Sequence, residues 1–402
     1  MVSKRDTFYC ILCCYIVHAV NGLYPVVLVP GDGGSQMEAK LDKPAVVHYV
    51  CDKKTTDYFS LWLNMELLVP VVIDCLIDNM KLTYNNETRT TSNSPGVSVR
   101  IPAFGNSTTV EYIDPSRASA GSYFKDIANM LVNMGYERNT TLRGAPYDFR
   151  KGPNEQSEYF EALKNLIVET YELNGQKPVI LIVHSLGGLM TLAMLHKQDQ
   201  KWKDKYIKLL VSLAGAWGGS TKAVKVFAIG DDLGVYVLQG SVLRAEQITS
   251  PSLAWLLPSP YLWKPDEVFV ETDSKNYSLN NLQEFFNDIN YPVGWEMYKD
   301  VHPFIDNFEA PGVEVHCLYG YGIPTVEKLV YAKGKFPNGS PSLMSGDGDG
   351  TVNKRSLRAC TYWTGLQKQR IYEVGFPGVD HMAVLRSVNT IEYIKQLVER
   401  LK

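Results

Sequence analysis

The stretch Val179-Ile-Leu-Ile-Val183-His184-Ser185-Leu186-Gly187-Gly188 runs five apolar residues into a His-Ser pair, a leucine and two glycines. A continuous apolar run of this length suits a parallel strand buried on both faces. Leu186 to His196 then reads as a helix. The serine therefore falls on a sharp strand-to-helix turn that pushes its hydroxyl out of the sheet, and Gly187 lets the helix approach the strand closely. The pattern predicts a nucleophile elbow. Its usual glycine two residues before the serine is replaced by Val183, which leaves the strand–serine–helix context intact. The bland alternative for Ser185 is a helix N-cap.

The flanking sequence alternates helix and strand in the same sense. Phe160, Leu163, Ile167 and Tyr171 fall at helical spacing, and Gly175 follows as a stop. Leu209 to Ala214, Val313 to Tyr319 and Arg370 to Gly375 are further strand candidates, and Ile391, Ile394, Leu397, Val398 and Leu401 mark one face of a closing helix. Tyr24 to Pro30 is a buried-strand pattern ending in the turn Gly31-Asp-Gly-Gly34. The alternation predicts an α/β fold with a mostly parallel sheet covered on both sides. From Trp217 to about Pro303 the sequence is rich in Gly, Pro, Ser and aromatics without a sustained period, as lids and binding elements are.

A serine hydroxyl needs a positioned base, itself oriented by a carboxylate. In α/β-hydrolases the order is serine, acid, histidine. His381, in Gly375-Phe-Pro-Gly-Val-Asp-His381, follows the last strand candidate and is the base candidate. His184 and His196 read as structural. Gly346-Asp347-Gly-Asp349-Gly-Thr-Val352 offers two acids, of which Asp349 is preferred and Asp347 is the runner-up. As a calcium loop it fails, because Val352 stands where the sixth-position glycine belongs and Arg358 where the twelfth-position glutamate belongs. The oxyanion needs two aimed donors. The backbone NH of Leu186 supplies one, and the NH of Asp32 in the Gly-rich turn the other. That turn fails as a dinucleotide fingerprint, since Gln36 holds the place of the third glycine.

The 402 residues carry a net charge of −3 and no block of Lys or Arg. Nucleic acid is thereby excluded as a partner, and membrane docking has to rest on apolar contacts. Lys4 and Arg5 precede the apolar run Phe8 to Val20, with small residues at Ala19 and Gly22. This reads as an export signal, too short for the roughly 20 residues of a spanning helix. Cys10, Cys13 and Cys14 would leave with it. Cys51, Cys75, Cys317 and Cys360 remain, an even set suited to an oxidising compartment. Three pairings exist and spacing does not choose among them, although neighbour pairing closes the shortest loops. None of these four has the CxxC spacing that would point to zinc, and neither metal nor cofactor is expected. Sequons at Asn86, Asn106, Asn139, Asn276 and Asn338 predict surface glycans.

The chain resembles the lecithin–cholesterol acyltransferase family, and within it the lysosomal phospholipase A2 branch. The resemblance rests on Val26-Val-Leu-Val-Pro-Gly-Asp32, Glu38-Ala-Lys-Leu-Asp-Lys-Pro44, Val47-His-Tyr49 and Leu61-Trp-Leu-Asn64. It continues through Arg143-Gly-Ala-Pro-Tyr-Asp148, Ile182-Val-His-Ser-Leu-Gly187, Ala214-Gly-Ala-Trp-Gly-Gly219 and Gly346-Asp-Gly-Asp-Gly-Thr-Val-Asn353. It implies Ser185, Asp349 and His381 as a triad, Asp32 and Leu186 at the oxyanion hole, and the two neighbour disulfides. It also implies a membrane-binding cap in which Trp62, Leu63, Leu67 and Leu68 share a lipid-facing face of a short helix, and a lid over Gly219 to Val242. Val183 and Phe149 stand where alanine or glycine and tryptophan are expected.

The expected division is a signal at 1–22, hydrolase core at 23–45, cap at 46–80, core with the elbow at 81–216, lid and cap insertion at 217–303, and core with acid and histidine at 304–402. The implied activity is a phospholipase A and O-acyltransferase acting at a phospholipid membrane surface, taking acyl groups from a lipid donor to water or to a lipid alcohol such as ceramide. The implied location is the lysosome lumen or the exterior. Two alternatives stand beside it: a sterol acyltransferase of lipoproteins, and a catalytically inactive hydrolase-fold binding protein.

Overall fold

The computed structural model describes residues 22–118, 121–232, 240–304 and 308–402. The expected signal at 1–22 lies outside this set except for Gly22, and the expected lid falls partly outside it, at 233–239. Six strands build the central sheet: β1 (Val26–Val29), β2 (Leu142–Gly144), β3 (Val179–His184), β4 (Ile207–Leu213), β5 (Val315–Tyr321) and β6 (Ile371–Pro377). Their spatial order is β6-β5-β4-β3-β1-β2, and all neighbours run parallel. Every residue of β1 and β3 is buried, as strands covered on both faces must be.

Strand order explains the site's location. The chain passes from β1 outward to β2, then returns to the other side of β1 for β3. The direction of winding therefore reverses between β1 and β3, and in open parallel sheets that crevice at the carboxyl ends is where ligands bind. The Gly-rich turn after β1 and Ser185 after β3 are brought together there. Alternate side chains of the strands feed two large apolar clusters, one on each face of the sheet, with Val27, Val29, Leu181 and Val183 in one and Val26, Leu28, Ile180 and Ile182 in the other.

Three smaller sheets flank this body. Phe59–Trp62, Met37–Leu41 and Val97–Arg100 form an antiparallel trio, and Leu82–Asn85 pairs with Thr90–Asn93. A four-stranded sheet combines the short strands Val270–Glu271 and Asn276–Tyr277 with the hairpin Ile323–Val330 and Ser342–Gly348. The structure joins Cys51 to Cys75, and Cys317 to Cys360. Among the described residues no helix is long and apolar enough to cross a membrane.

Two expectations need correction. The stretch from 217 to 303 is not aperiodic loop: it holds the helices Thr221–Ile229, Gly240–Gln247, Pro251–Trp255, Leu282–Asp288 and Val293–Val301. Each spans one to three turns, too few for a hydrophobic period to emerge. The cap tetrad also fails to share a helix face. Trp62 ends a strand, and the 3-10 helix covers Met65–Leu68. Leu63 and Leu68 are buried and Trp62 and Leu67 half-buried, packed on the body, while Met65, Val69 and Val71 face solvent. The indole explains Trp62: a covered N–H needs a partner, and it donates to the Gly33 carbonyl at 2.8 Å.

Candidate active site

Ser185 sits at φ 52°, a left-handed conformation that a non-glycine residue adopts at a cost. Its neighbours hold it there. The Ser185 amide donates to Leu213 O at 3.0 Å, tying the elbow to the end of β4. A side chain on Gly187 would collide with the Pro30 carbonyl, so only glycine lets the helix Leu186–His196 start this close to β1. Gly31 is packed as tightly: a Cβ there would lie 2.8 Å from Ser185 Cβ. The turn carrying Asp32 thus touches the nucleophile candidate directly.

His381 and Asp349 complete the constellation. His381 Nε2 lies 2.9 Å from Ser185 Oγ, and His381 Nδ1 lies 2.7 Å from Asp349 Oδ2. The other carboxylate oxygen of Asp349 accepts from the amides of Thr351 and Val352 at 3.0 and 2.7 Å. The His381 amide donates to Asp349 O at 2.9 Å. All three side chains are buried. Asp347, the runner-up, points away: it accepts from Gly322 N at 2.7 Å and pairs with Lys354 at 2.6 Å. The acid loop is braced by the segment after β4, where Ser220 Oγ donates to Thr351 O at 2.6 Å and the Thr221 amide donates to Asn353 Oδ1 at 3.0 Å.

The oxyanion candidates flank this line. Leu186 begins the helix after Ser185 and is buried. The Asp32 side chain reaches solvent, yet the protein crowded around it pushes its carboxyl up to about 6; the Gly33 amide, Lys222 and His381 pull the other way. Trp62 braces the same turn through Gly33 and meets Phe149 edge-on at 6.0 Å. Sequence reading missed this brace, and it also missed Tyr123, whose hydroxyl accepts from the Gly31 amide at 3.0 Å. No local pattern marks either aromatic, because each acts across a long sequence separation.

A parallel sheet with a serine elbow, a histidine after its last strand and an aspartate between them defines a serine hydrolase of the α/β-hydrolase class. The family model for lecithin:cholesterol acyltransferase matches residues 58–393, and the chain belongs to that family. It is 48% identical over 374 residues to the lysosomal phospholipase A and acyltransferase of Bos taurus, covering 93% of this chain and 91% of that one. It is 44% identical over 372 residues to the phosphatidylcholine-sterol acyltransferase of Gallus gallus, covering 92% and 89%. The solved Tle4-Tli4 complex contains a chain with a TM-score of 0.56 at 14% identity, covering 94% of this chain and 98% of that one, a likeness of fold.

Proposed function

We propose that the protein is a phospholipase A and acyltransferase that works through an acyl-Ser185 intermediate. The reading is carried by the unbroken line from Ser185 Oγ through His381 to Asp349. Ser185 attacks an acyl ester carbonyl of a glycerophospholipid while His381 Nε2 takes its proton. Asp349 fixes the tautomer and stabilises the imidazolium. The amides of Leu186 and Asp32 receive the oxyanion. Collapse breaks the ester bond, and the lysolipid leaves with the proton from His381. Water, or the hydroxyl of a lipid alcohol such as ceramide, then attacks the acyl-enzyme with His381 again as base, releasing a fatty acid or an acylated lipid.

Membrane adsorption belongs to the same proposal, carried by exposed apolar residues just ahead of Cys51 and within the loop that the Cys51–Cys75 link closes: Val47, Tyr49 and Val50, and Met65, Val69 and Val71. Full burial of such a side chain is worth roughly 1.5–3 kcal/mol, so a few suffice for reversible docking. The proposed lid, Gly219 to Val242, contains the helix Thr221–Ile229 and the start of the helix Gly240–Gln247. Four of the five sequon asparagines, Asn86, Asn139, Asn276 and Asn338, are exposed and Asn106 is half-buried, which supports glycosylation of an exported chain. The bovine relative's name supports delivery to the lysosome.

The test is fatty-acid release from phosphatidylcholine liposomes, with ceramide present, at acidic and neutral pH. Ser185→Ala should lower release by a factor of about 10³ or more; unchanged release would falsify the mechanism. The identity to a sterol acyltransferase supports a second reading, transfer to cholesterol. Cholesterol offered beside ceramide separates the two. Labelling by a fluorophosphonate that disappears in Ser185→Ala excludes a non-catalytic binding protein.

A further inference from the structure

Behind the reacting groups, a buried chain of hydrogen bonds links three pieces of the site. The Gly31 amide donates to Tyr123 Oη at 3.0 Å, and Tyr123 Oη in turn meets His184 Nδ1. His184 Nε2 lies 3.0 Å from the carbonyl oxygen of His381. Tyr123 and His184 are both buried, their rings edge-on at 5.3 Å, and the His184 ring lies 4.8 Å from that of His381.

The direction of every bond in this chain is forced. A carbonyl only accepts, so His184 carries its proton on Nε2. Its Nδ1 must then accept, so the Tyr123 hydroxyl donates to it. The same oxygen is thereby free to accept from Gly31. Burial, with His381 adding to it, holds the His184 imidazole well below its ordinary value, while the bond to the His381 carbonyl opposes this. A neutral His184 keeps the direction intact while His381 cycles through its charged form. Gly31 sits against Ser185 and carries the turn of Asp32, and Gly34 in the same turn is packed against the Tyr123 ring.

We propose that Tyr123 and His184 are positioning residues that hold the oxyanion turn, the serine elbow and the His381 loop in one register. The inference rests on the reading of Ser185 and His381 as nucleophile and base. Both are buried behind the reacting groups, so their contribution falls on the chemical step rather than on binding. Small misplacements of reacting groups or oxyanion donors cost factors of about 10².

The experiment uses the full-length protein and a short-chain p-nitrophenyl ester, which bypasses membrane docking. Tyr123→Phe keeps the ring and removes the hydroxyl. His184→Gln keeps a donor for the His381 carbonyl and gives up the acceptor for Tyr123. Both variants therefore cut the Tyr123–His184 link, and Tyr123→Phe also removes the acceptor of the Gly31 amide. Each should lower kcat by about 10- to 100-fold with KM changed less than threefold and thermal unfolding still cooperative. Because the bond lost in His184→Gln is already lost in Tyr123→Phe, the double variant should be no slower than about twofold below the worse single one. His184→Asn, which retains an acceptor near Nδ1 but loses the Nε2 donor, should combine with Tyr123→Phe into a further loss.

An unchanged kcat, a loss confined to KM, or single-variant losses that multiply in Tyr123→Phe with His184→Gln would overturn the proposal. If one variant does not fold, the other alone decides through its split between kcat and KM. Ser185→Ala in the same assay keeps the two ideas apart. Activity surviving in Ser185→Ala removes the mechanism itself, whereas its loss there with full activity in Tyr123→Phe removes only the positioning chain.

Discussion

Asp349 is aimed by two backbone amides at one oxygen, which leaves the other free for His381. Asp349→Asn preserves this shape but offers the imidazole a choice of tautomers. Steady-state assays on a soluble ester should show kcat lowered by about 10⁴ with little change in KM; a loss below tenfold would remove Asp349 from its assigned role. Glu246 supplies a pH-dependent expectation. Glu246 is half-buried, and the protein packed around it raises its carboxyl to about 7, with Arg150 opposing and Asp32 and Asp148 reinforcing. The folded state therefore holds this proton more tightly than the unfolded chain does. The resulting stability is complete below about pH 4.5 and is lost as pH rises through about 7. Melting temperatures of the native protein relative to Glu246→Gln should fall between pH 4.5 and 8, and a difference that stays flat would refute the assignment.

Secondary-structure elements differ in how plainly their sequences announce them. The helix Leu186–His196 matches its expected limits end to end, because the elbow opens it and polar Lys197 and Gln198 follow. The expected strands at 209–214, 313–319 and 370–375 appear at Ile207–Leu213, Val315–Tyr321 and Ile371–Pro377, shifted by two residues at most. The hairpin Ile323–Val330 with Ser342–Gly348 was not legible, since five residues of its second strand face solvent or nearly so and leave no apolar alternation. That hairpin, rather than a strand of the central sheet, delivers Asp349. Ser185, His381 and Asp349 were readable because motif order constrains them; Tyr123 and Trp62 were not, because their partners lie 92 and 29 residues away. The cap yields an element-level test. Met65→Ser with Val69→Ser should weaken liposome binding and liposome hydrolysis by several-fold to about tenfold while leaving soluble-ester kcat unchanged. Equal hydrolysis of both substrates relative to the native protein would place the docking surface elsewhere.

Taken as one molecule, the proposed cap meets the hydrolase body at a fully buried guanidinium. Arg150 pairs with Asp148 at 2.7 Å and donates to Met80 O at 2.7 Å and to Asn93 Oδ1 at 2.9 Å. The first partner follows β2; the others lie at the end of the helix Ile73–Met80 and in the hairpin beyond it. Burial works against both charges, yet Arg150 holds the Asp148 carboxyl below the ordinary range. Arg150→Met strands that carboxylate and should cost about 3–5 kcal/mol in urea unfolding; a change under 1 kcal/mol would show the join is made by apolar packing instead. Neither disulfide crosses this seam, because Cys51–Cys75 closes within the cap and Cys317–Cys360 within the body. Each part carries its own staple, and the Arg150 socket joins them alongside the apolar cluster that Leu63, Leu68, Leu76 and Met80 share with the body. Such a design leaves the exposed face of the proposed docking segment open to change residue by residue, provided the contacts around Arg150 are kept.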